Sequence, residues 1–199
     1  MFWAAWLLLA AFAGALDSAS AISSLHPGVG QEAPITNLNF SVLLAAPLLG
    51  IGQWLVLRQK IRRAGWWVLA TGIAAIPALV AASIVLIFAG AFGGFQAPGL
   101  VPTAFALALG WAMIGIGQWI VLRRQVRQSG WWIAISAAAG AASAVGAAAA
   151  GGSSSTTVLA LLLVGLAGGA AYGVISGVGL GLLLARTPPP IASPRANTG

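Results

Sequence analysis

Long apolar segments separated by short basic ones are the feature that most limits the fold of this chain. Only 6% of its 199 residues are charged and 60% are hydrophobic, whereas a soluble domain carries about 25% charged residues. Several segments approach or exceed the ~20 apolar residues with which an α-helix crosses a bilayer. The sequence therefore predicts an all-α integral membrane protein. Its six spans are expected at 2–16 (or to 22), 39–57, 66–91, 102–122, 131–150 and 157–185.

Basic side chains follow only the even-numbered spans. Those after the second and fourth spans are Arg58, Lys60, Arg62, Arg63, Arg123, Arg124 and Arg127, and those after the sixth are Arg186 and Arg195. The other connections carry no Lys or Arg, and both acids, Asp17 and Glu32, fall in the first of them. Because short basic loops stay in the cytoplasm, the sequence predicts a multi-pass protein with both termini cytoplasmic.

The seven cations after the second and fourth spans predict a basic belt at the cytoplasmic face, in a chain whose net charge is +7. One interpretation is orientation together with contact to anionic lipid headgroups, where each cation contributes ~1 kcal/mol. The other is a specific lipid or an acidic protein partner. We expect no nucleic-acid partner, because that needs a larger basic surface and aromatic side chains that are free to stack.

Tryptophan is concentrated at the predicted cytoplasmic ends of the spans. The residues are Trp3, Trp6, Trp54, Trp66, Trp67, Trp119, Trp131 and Trp132. Trp prefers the headgroup boundary, where its apolar ring and its polar N–H are both accommodated, so we expect this role for all eight. Trp3 aligns with Trp66 and Trp131, which favours a retained first span over a cleaved signal peptide despite the motif Ala13-Gly14-Ala15.

A repeat with an offset of 65 residues runs through the chain. Residues 50–67 and 115–132 are identical at 12 of 18 positions, and both contain Gly-x-Gly-Gln-Trp-x-Val-Leu-Arg followed by Gly-Trp-Trp. A repeat of this length marks copies of one structural unit. The pattern resembles segments of uncharacterised bacterial multi-spanning membrane proteins with Gln-Trp-x-Val-Leu-Arg repeats. That resemblance implies a bacterial inner membrane and no known activity.

A third copy is recognisable but divergent. Gly177-Val178-Gly179 stands 62 residues after Gly115-Ile116-Gly117, and Leu180-Gly181 replaces the Gln-Trp pair. The predicted units are about 1–64, 65–129 and 130–187, forming one transmembrane domain, followed by a disordered cytoplasmic tail at 188–199. Since each unit has two spans, all copies insert in the same direction. We therefore expect three parallel helical hairpins in a pseudo-threefold bundle.

Gln53 and Gln118 are strongly polar side chains at the same position of the first two copies, each near the basic end of a span. An amide there favours a hydrogen bond to a neighbouring helix, a contact that averages only ~0.6 kcal/mol in membrane proteins. A polar site for a solute or a cofactor is the sharper interpretation, and snorkelling to the interface is the third. Leu180 at this position in the third copy weakens a symmetric polar ring.

Small residues recur every four positions in the sixth span. They are Gly165, Gly169, Gly173, Gly177 and Gly181. This spacing lets helix backbones approach closely and favours a right-handed crossing. Packing inside one chain, a seam between identical chains and a pore-lining face all remain open.

The predicted spans offer no catalytic chemistry. They contain no Asp, Glu, His, Lys or Cys, whereas an intramembrane enzyme needs a nucleophile and a base, or metal ligands, and ion-driven transport usually needs an intramembrane acid. We therefore expect no enzyme, no cofactor and no metal. The favoured function is a structural or accessory membrane protein that binds lipid headgroups, a membrane-protein partner or its own copy; a passive pore or small-solute facilitator is the alternative.

Overall fold

The computed structural model describes residues 2–23, 49–59, 64–93, 99–126, 128–150 and 158–186. These residues form helices and no strand. The helices are α1 (Phe2–Ser23), α2 (49–57), α3 (Gly65–Phe92), α4 (Leu100–Leu122), α5 (Trp131–Ala149) and α6 (Val158–Ala185). The all-α prediction is therefore confirmed for this part of the chain.

Helix bounds follow the apolar segments closely. The third to sixth helices begin and end within two residues of the predicted spans, while α1 continues to Ser23, past the shorter predicted end at residue 16. Most of the predicted outer loop after α1, the first half of the second span and the tail at 188–199 lie outside the described residues. So do Lys60, Arg62, Arg63 and Arg127 of the basic belt.

Four of the described helices are long and apolar enough to cross a membrane, namely Gly65–Phe92, Leu100–Leu122, Trp131–Ala149 and Leu162–Ala185. Only 17–39% of their most apolar windows is buried inside the bundle. Large side chains such as Ile73 (69% exposed) and Phe105 (61% exposed) point outward. An apolar surface of this extent marks a membrane or protein interface rather than a water-facing one. The molecule is therefore a helical membrane protein.

Helices that follow one another in the chain pack against each other, and the last returns to the first. The pairs α3–α4, α4–α5, α5–α6 and α6–α1 all make extensive contacts. The described part of α2 lies between α1 and α3, because Gly52 approaches Leu9 and Gly50 approaches Thr71. The six helices therefore enclose a common core.

The larger part of this core lies at what we call the basic end of the bundle, where Arg58, Arg123 and Arg186 follow α2, α4 and α6. Every helix contributes to it. Its buried members are Trp6, Val56, Leu57, Ala64, Trp67, Leu122, Val126, Trp132, Leu180 and Leu183. A second cluster contains Ala10, Leu49, Ala139 and Tyr172, with the Trp111 and Tyr172 rings 4.1 Å apart. Apolar side chains thus fill both layers between the helices.

Candidate functional site

Two Trp–Gln pairs stand at the centre of the basic end. The indole Nε1 of Trp67 donates to Oε1 of Gln53 at 2.9 Å, and Nε1 of Trp132 donates to Oε1 of Gln118 at 2.8 Å. All four side chains are at most 1% exposed. The two bonds join α3 to α2 and α5 to α4, and they are separated by 65 residues in the sequence. The same residues of the repeat therefore make the same contact twice.

A second set of hydrogen bonds joins the two pairs. Nε2 of Gln118 donates to Oγ1 of Thr71 at 2.9 Å and lies 3.4 Å from Oε1 of Gln53. The Thr71 hydroxyl in turn donates to the carbonyl oxygen of Trp67 at 2.8 Å, one turn back in α3. The resulting network crosses α2, α3, α4 and α5. Buried polar groups that are satisfied in this way hold the register of the helices that carry them.

The α1–α6 contact has a related but shorter pair. Nε1 of Trp6 donates to Oγ of Ser176 at 3.1 Å, and Ser176 donates to the carbonyl oxygen of Tyr172 at 2.7 Å. Ser176 stands one helical turn before Leu180, which occupies the glutamine position of the third copy. A serine one turn away thus accepts the indole N–H that an amide accepts in the other two pairs.

Three buried polar atoms in the described residues have no hydrogen-bond partner: Nε2 of Gln53, Oγ of Ser136 and the hydroxyl of Tyr172. The Tyr172 hydroxyl lies near the side chains of Gln53 and Ser176 without forming a hydrogen bond to either. Ser136 follows Thr71 by 65 residues, and Leu180 follows Gln118 by 62. Leu180 therefore offers the Ser136 hydroxyl no amide donor, whereas Gln118 donates to Thr71 in the preceding copy.

The structure divides the tryptophans into two groups, and the headgroup role expected for all eight is wrong for three of them. Trp67 and Trp132 are fully buried and Trp6 is 1% exposed, with the rings of Trp67 and Trp132 5.8 Å apart. Their neighbours Trp66 and Trp131 are 61% and 64% exposed. Of each Trp-Trp pair, one ring therefore closes the core and the other faces outward.

Two further tryptophans lie beneath arginines of the basic belt. The guanidinium carbon of Arg58 is 5.7 Å from the ring centroid of Trp54, and that of Arg123 is 5.5 Å from that of Trp119. Arg124, the third described member of the predicted belt, is exposed. Cation–π contacts at exposed sites are worth roughly 0.5–1 kcal/mol. They hold two of the cations against the bundle, one in each of the first two copies.

The glycines of α6 bring α1 close. A Cβ placed on Gly173 would lie 2.8 Å from Cβ of Ala10, and one placed on Gly169 would collide with the backbone of Ala10. Gly165 belongs to the same contact, since Gly14 of α1 approaches its carbonyl oxygen. Gly177 is buried and Gly181 half-buried. The first three glycines of the predicted line are therefore used in packing within the chain, against α1.

The described residues contain no group of three His, Cys, Asp or Glu side chains that could hold a metal ion. The candidate site is the buried apolar core at the basic end of this helical membrane protein, together with the Trp–Gln hydrogen-bond network inside it. We call this core and its network the plug. Comparison of the chain with protein-family models, with curated proteins and with solved structures gave no match.

Proposed function

We propose that this chain is a structural or accessory membrane protein, a packed bundle that serves as a subunit, scaffold or lipid-contacting module and performs no catalysis. One observation carries the proposal: three indoles and two amides bond to one another, or to a serine, across the middle of the bundle. Every indole N–H of this plug has a protein acceptor. Such side chains specify helix register, and their indole donors are all bonded within the protein.

A pseudo-threefold arrangement of three parallel hairpins belongs to this proposal. It is supported by one contact that occurs three times. The second glycine of each Gly-x-Gly approaches the residue three positions after a buried tryptophan: Gly52 faces Leu9, Gly117 faces Ala70 and Gly179 faces Ile135. Repeated copies that insert in one direction are related by an axis along the membrane normal, and an equivalent contact in each copy is what such an axis requires.

We further propose a bacterial inner membrane with both termini cytoplasmic. The supporting observation is that Arg58, Arg123 and Arg186 lie at one end of the bundle, next to the exposed rings of Trp66 and Trp131. Cations and interfacial indoles together are typical of the cytoplasmic boundary.

A passive pore or small-solute facilitator is the second candidate. It is favoured by the two unpartnered polar atoms on Gln53 and Tyr172, which face the interior of the bundle. Such atoms are the donors with which a pore lining would bind a passing solute.

Flux through proteoliposomes separates the two functions. The accessory function predicts solute flux equal to that of empty vesicles across a broad panel of small neutral and ionic solutes. A Trp67→Ala variant, which would open the plug, serves as the positive control. Flux through the unaltered protein that rises above the empty vesicles would contradict the accessory function.

Purification from native membranes in mild detergent supplies the second measurement. A structural subunit is expected to retain a partner in a fixed stoichiometric ratio. Recovery of the chain alone, at every detergent concentration that keeps the bundle folded, would count against a subunit.

A further inference from the structure

A groove of about 640 Å³ runs between α5 and α6 toward the basic end. Its walls are almost wholly apolar, and its polar end carries an indole and a guanidinium. Residues that define it include Trp131, Ala134, Ala138, Val178, Leu182 and Arg186. Its volume falls within the ~300–1,000 Å³ typical of sites for small molecules. The groove opens on the outer surface of the bundle, the surface that faces the bilayer in the proposed insertion.

The third copy has small residues on one wall of the groove where the second copy has large ones. Ala134 and Ala138 line the α5 wall, and the residues 65 positions earlier on α3 are Leu69 and Ile73. Those side chains point outward, with 54% and 69% of their surface exposed. The α5 wall of the groove therefore carries two alanines where the corresponding surface of α3 carries two large side chains.

We propose that the groove binds one acyl chain of an anionic phospholipid, with the lipid phosphate at the guanidinium of Arg186. The proposal rests on the membrane insertion proposed above, with the basic end at headgroup depth. Trp131, which is 64% exposed and lines the same groove, then lies at the depth where indole rings are enriched.

Charge and shape, rather than hydrophobicity, must select the occupant. Lipid tails are as apolar as leucine, so an acyl chain that moves from the bilayer into the groove gains no hydrophobic free energy. It gains only van der Waals contact. The planar guanidinium of Arg186 matches the geometry of a phosphate, and its side chain is exposed. The only acids of the chain, Asp17 and Glu32, stand in its first segments and none follows. The groove therefore selects a lipid whose headgroup is negatively charged.

Native mass spectrometry of the full chain in detergent, with phosphatidylglycerol and phosphatidylcholine added in equal amounts, tests the proposal. We expect one retained phosphatidylglycerol per chain and roughly fivefold weaker retention of phosphatidylcholine, the ratio for one cation near an anionic headgroup. Arg186→Gln should remove this preference. Ala138→Ile introduces at position 138 the isoleucine found at the corresponding position 73. It should displace both lipids, and because position 138 faces outward it should leave the packed core undisturbed.

A matched double variant on α3 completes the design. Arg124 follows α4 as Arg186 follows α6, 62 residues later. The double variant Leu69→Ala, Ile73→Ala should create a second groove beside Arg124 and raise the count to two lipids. This gain cannot come from a misfolded protein.

Equal retention of both lipids, or retention that Ala138→Ile leaves intact, would overturn the proposal. A dimer of the chain that Ala138→Ile dissociates would also overturn it and assign the groove to a second copy. None of these outcomes bears on the accessory function, which is tested by solute flux and by the co-purified partner.

Discussion

The side-chain amide of Gln118 donates a 2.9 Å hydrogen bond to the hydroxyl of Thr71 and so ties α4 to α3. The corresponding positions of the next copy hold Leu180 and Ser136, where the serine hydroxyl is buried without a partner. One chain therefore contains both an intact and a broken version of the same contact. Each can serve as the control for the other.

The intact and broken versions predict opposite effects of removing the hydroxyl. Thr71→Val leaves the Gln118 amide with only its longer contact to Gln53 and should lower the free energy of unfolding by roughly 0.6–1.7 kcal/mol, the range for such bonds in a membrane protein. Ser136→Ala removes an unsatisfied group and should be neutral or stabilising by about 1 kcal/mol. Unfolding in mixed micelles of mild detergent and SDS measures both. Equal destabilisation by the two substitutions would contradict the network as described.

Restoring the missing amide should couple position 180 to Ser136. Leu180 is fully buried in the core, so Leu180→Gln alone loses apolar packing and gains a hydrogen bond. Its effect on the free energy of unfolding is the sum of the two. The double-mutant cycle with Ser136→Ala isolates the new hydrogen bond, for which we expect a coupling energy of roughly 0.6–1 kcal/mol. A coupling energy of zero would show that the glutamine at 180 points elsewhere.

The helix bounds were predictable from the sequence because the length of an apolar segment in a bilayer is set by the membrane itself. Which face of each helix turns inward was not predictable in the same way. A helix that is apolar all round carries no amphipathic signal, and adjacent tryptophans such as Trp66 and Trp67 look equivalent in the sequence. Only the position of Gln53 distinguishes them, because a buried indole N–H needs an acceptor.

The contact between α1 and α6 shows a second limit. Alignment of the copies places Leu180 in the glutamine position, but the acceptor for Trp6 is Ser176, one turn earlier. Trp6 is therefore the structural counterpart of Trp67 and Trp132, because its indole also donates to a side chain of a neighbouring helix. Alignment of the copies instead pairs Trp3 with the Trp-Trp motif. A shift of one turn keeps the same helix face, so it leaves no trace in the apolar pattern from which the spans are predicted.

The division of the tryptophans can be measured with lipids brominated near the headgroup, which quench the fluorescence of nearby indoles. Trp66→Phe and Trp131→Phe should each remove part of the quenchable emission and change the free energy of unfolding little. Trp67→Phe should leave the quenchable part unchanged and cost roughly 1 kcal/mol, because the hydrogen bond to Gln53 is lost. If Trp67→Phe abolished more quenching than Trp66→Phe, the two rings would have the reverse orientation.

The approach of α1 to α6 predicts opposite responses at two glycines. A methyl group on Gly169 would meet the backbone of Ala10 and lie 3.0 Å from Cα of Ala11, so Gly169→Ala must push two helices apart. Overpacking of this kind costs typically 1–3 kcal/mol. Gly72 of α3 has open space around its Cβ direction, and Gly72→Ala should stabilise the helix by roughly 0.5–1 kcal/mol. The midpoint of unfolding in SDS should therefore fall for the first variant and rise for the second. A rise for both would mean that α1 is not held against α6.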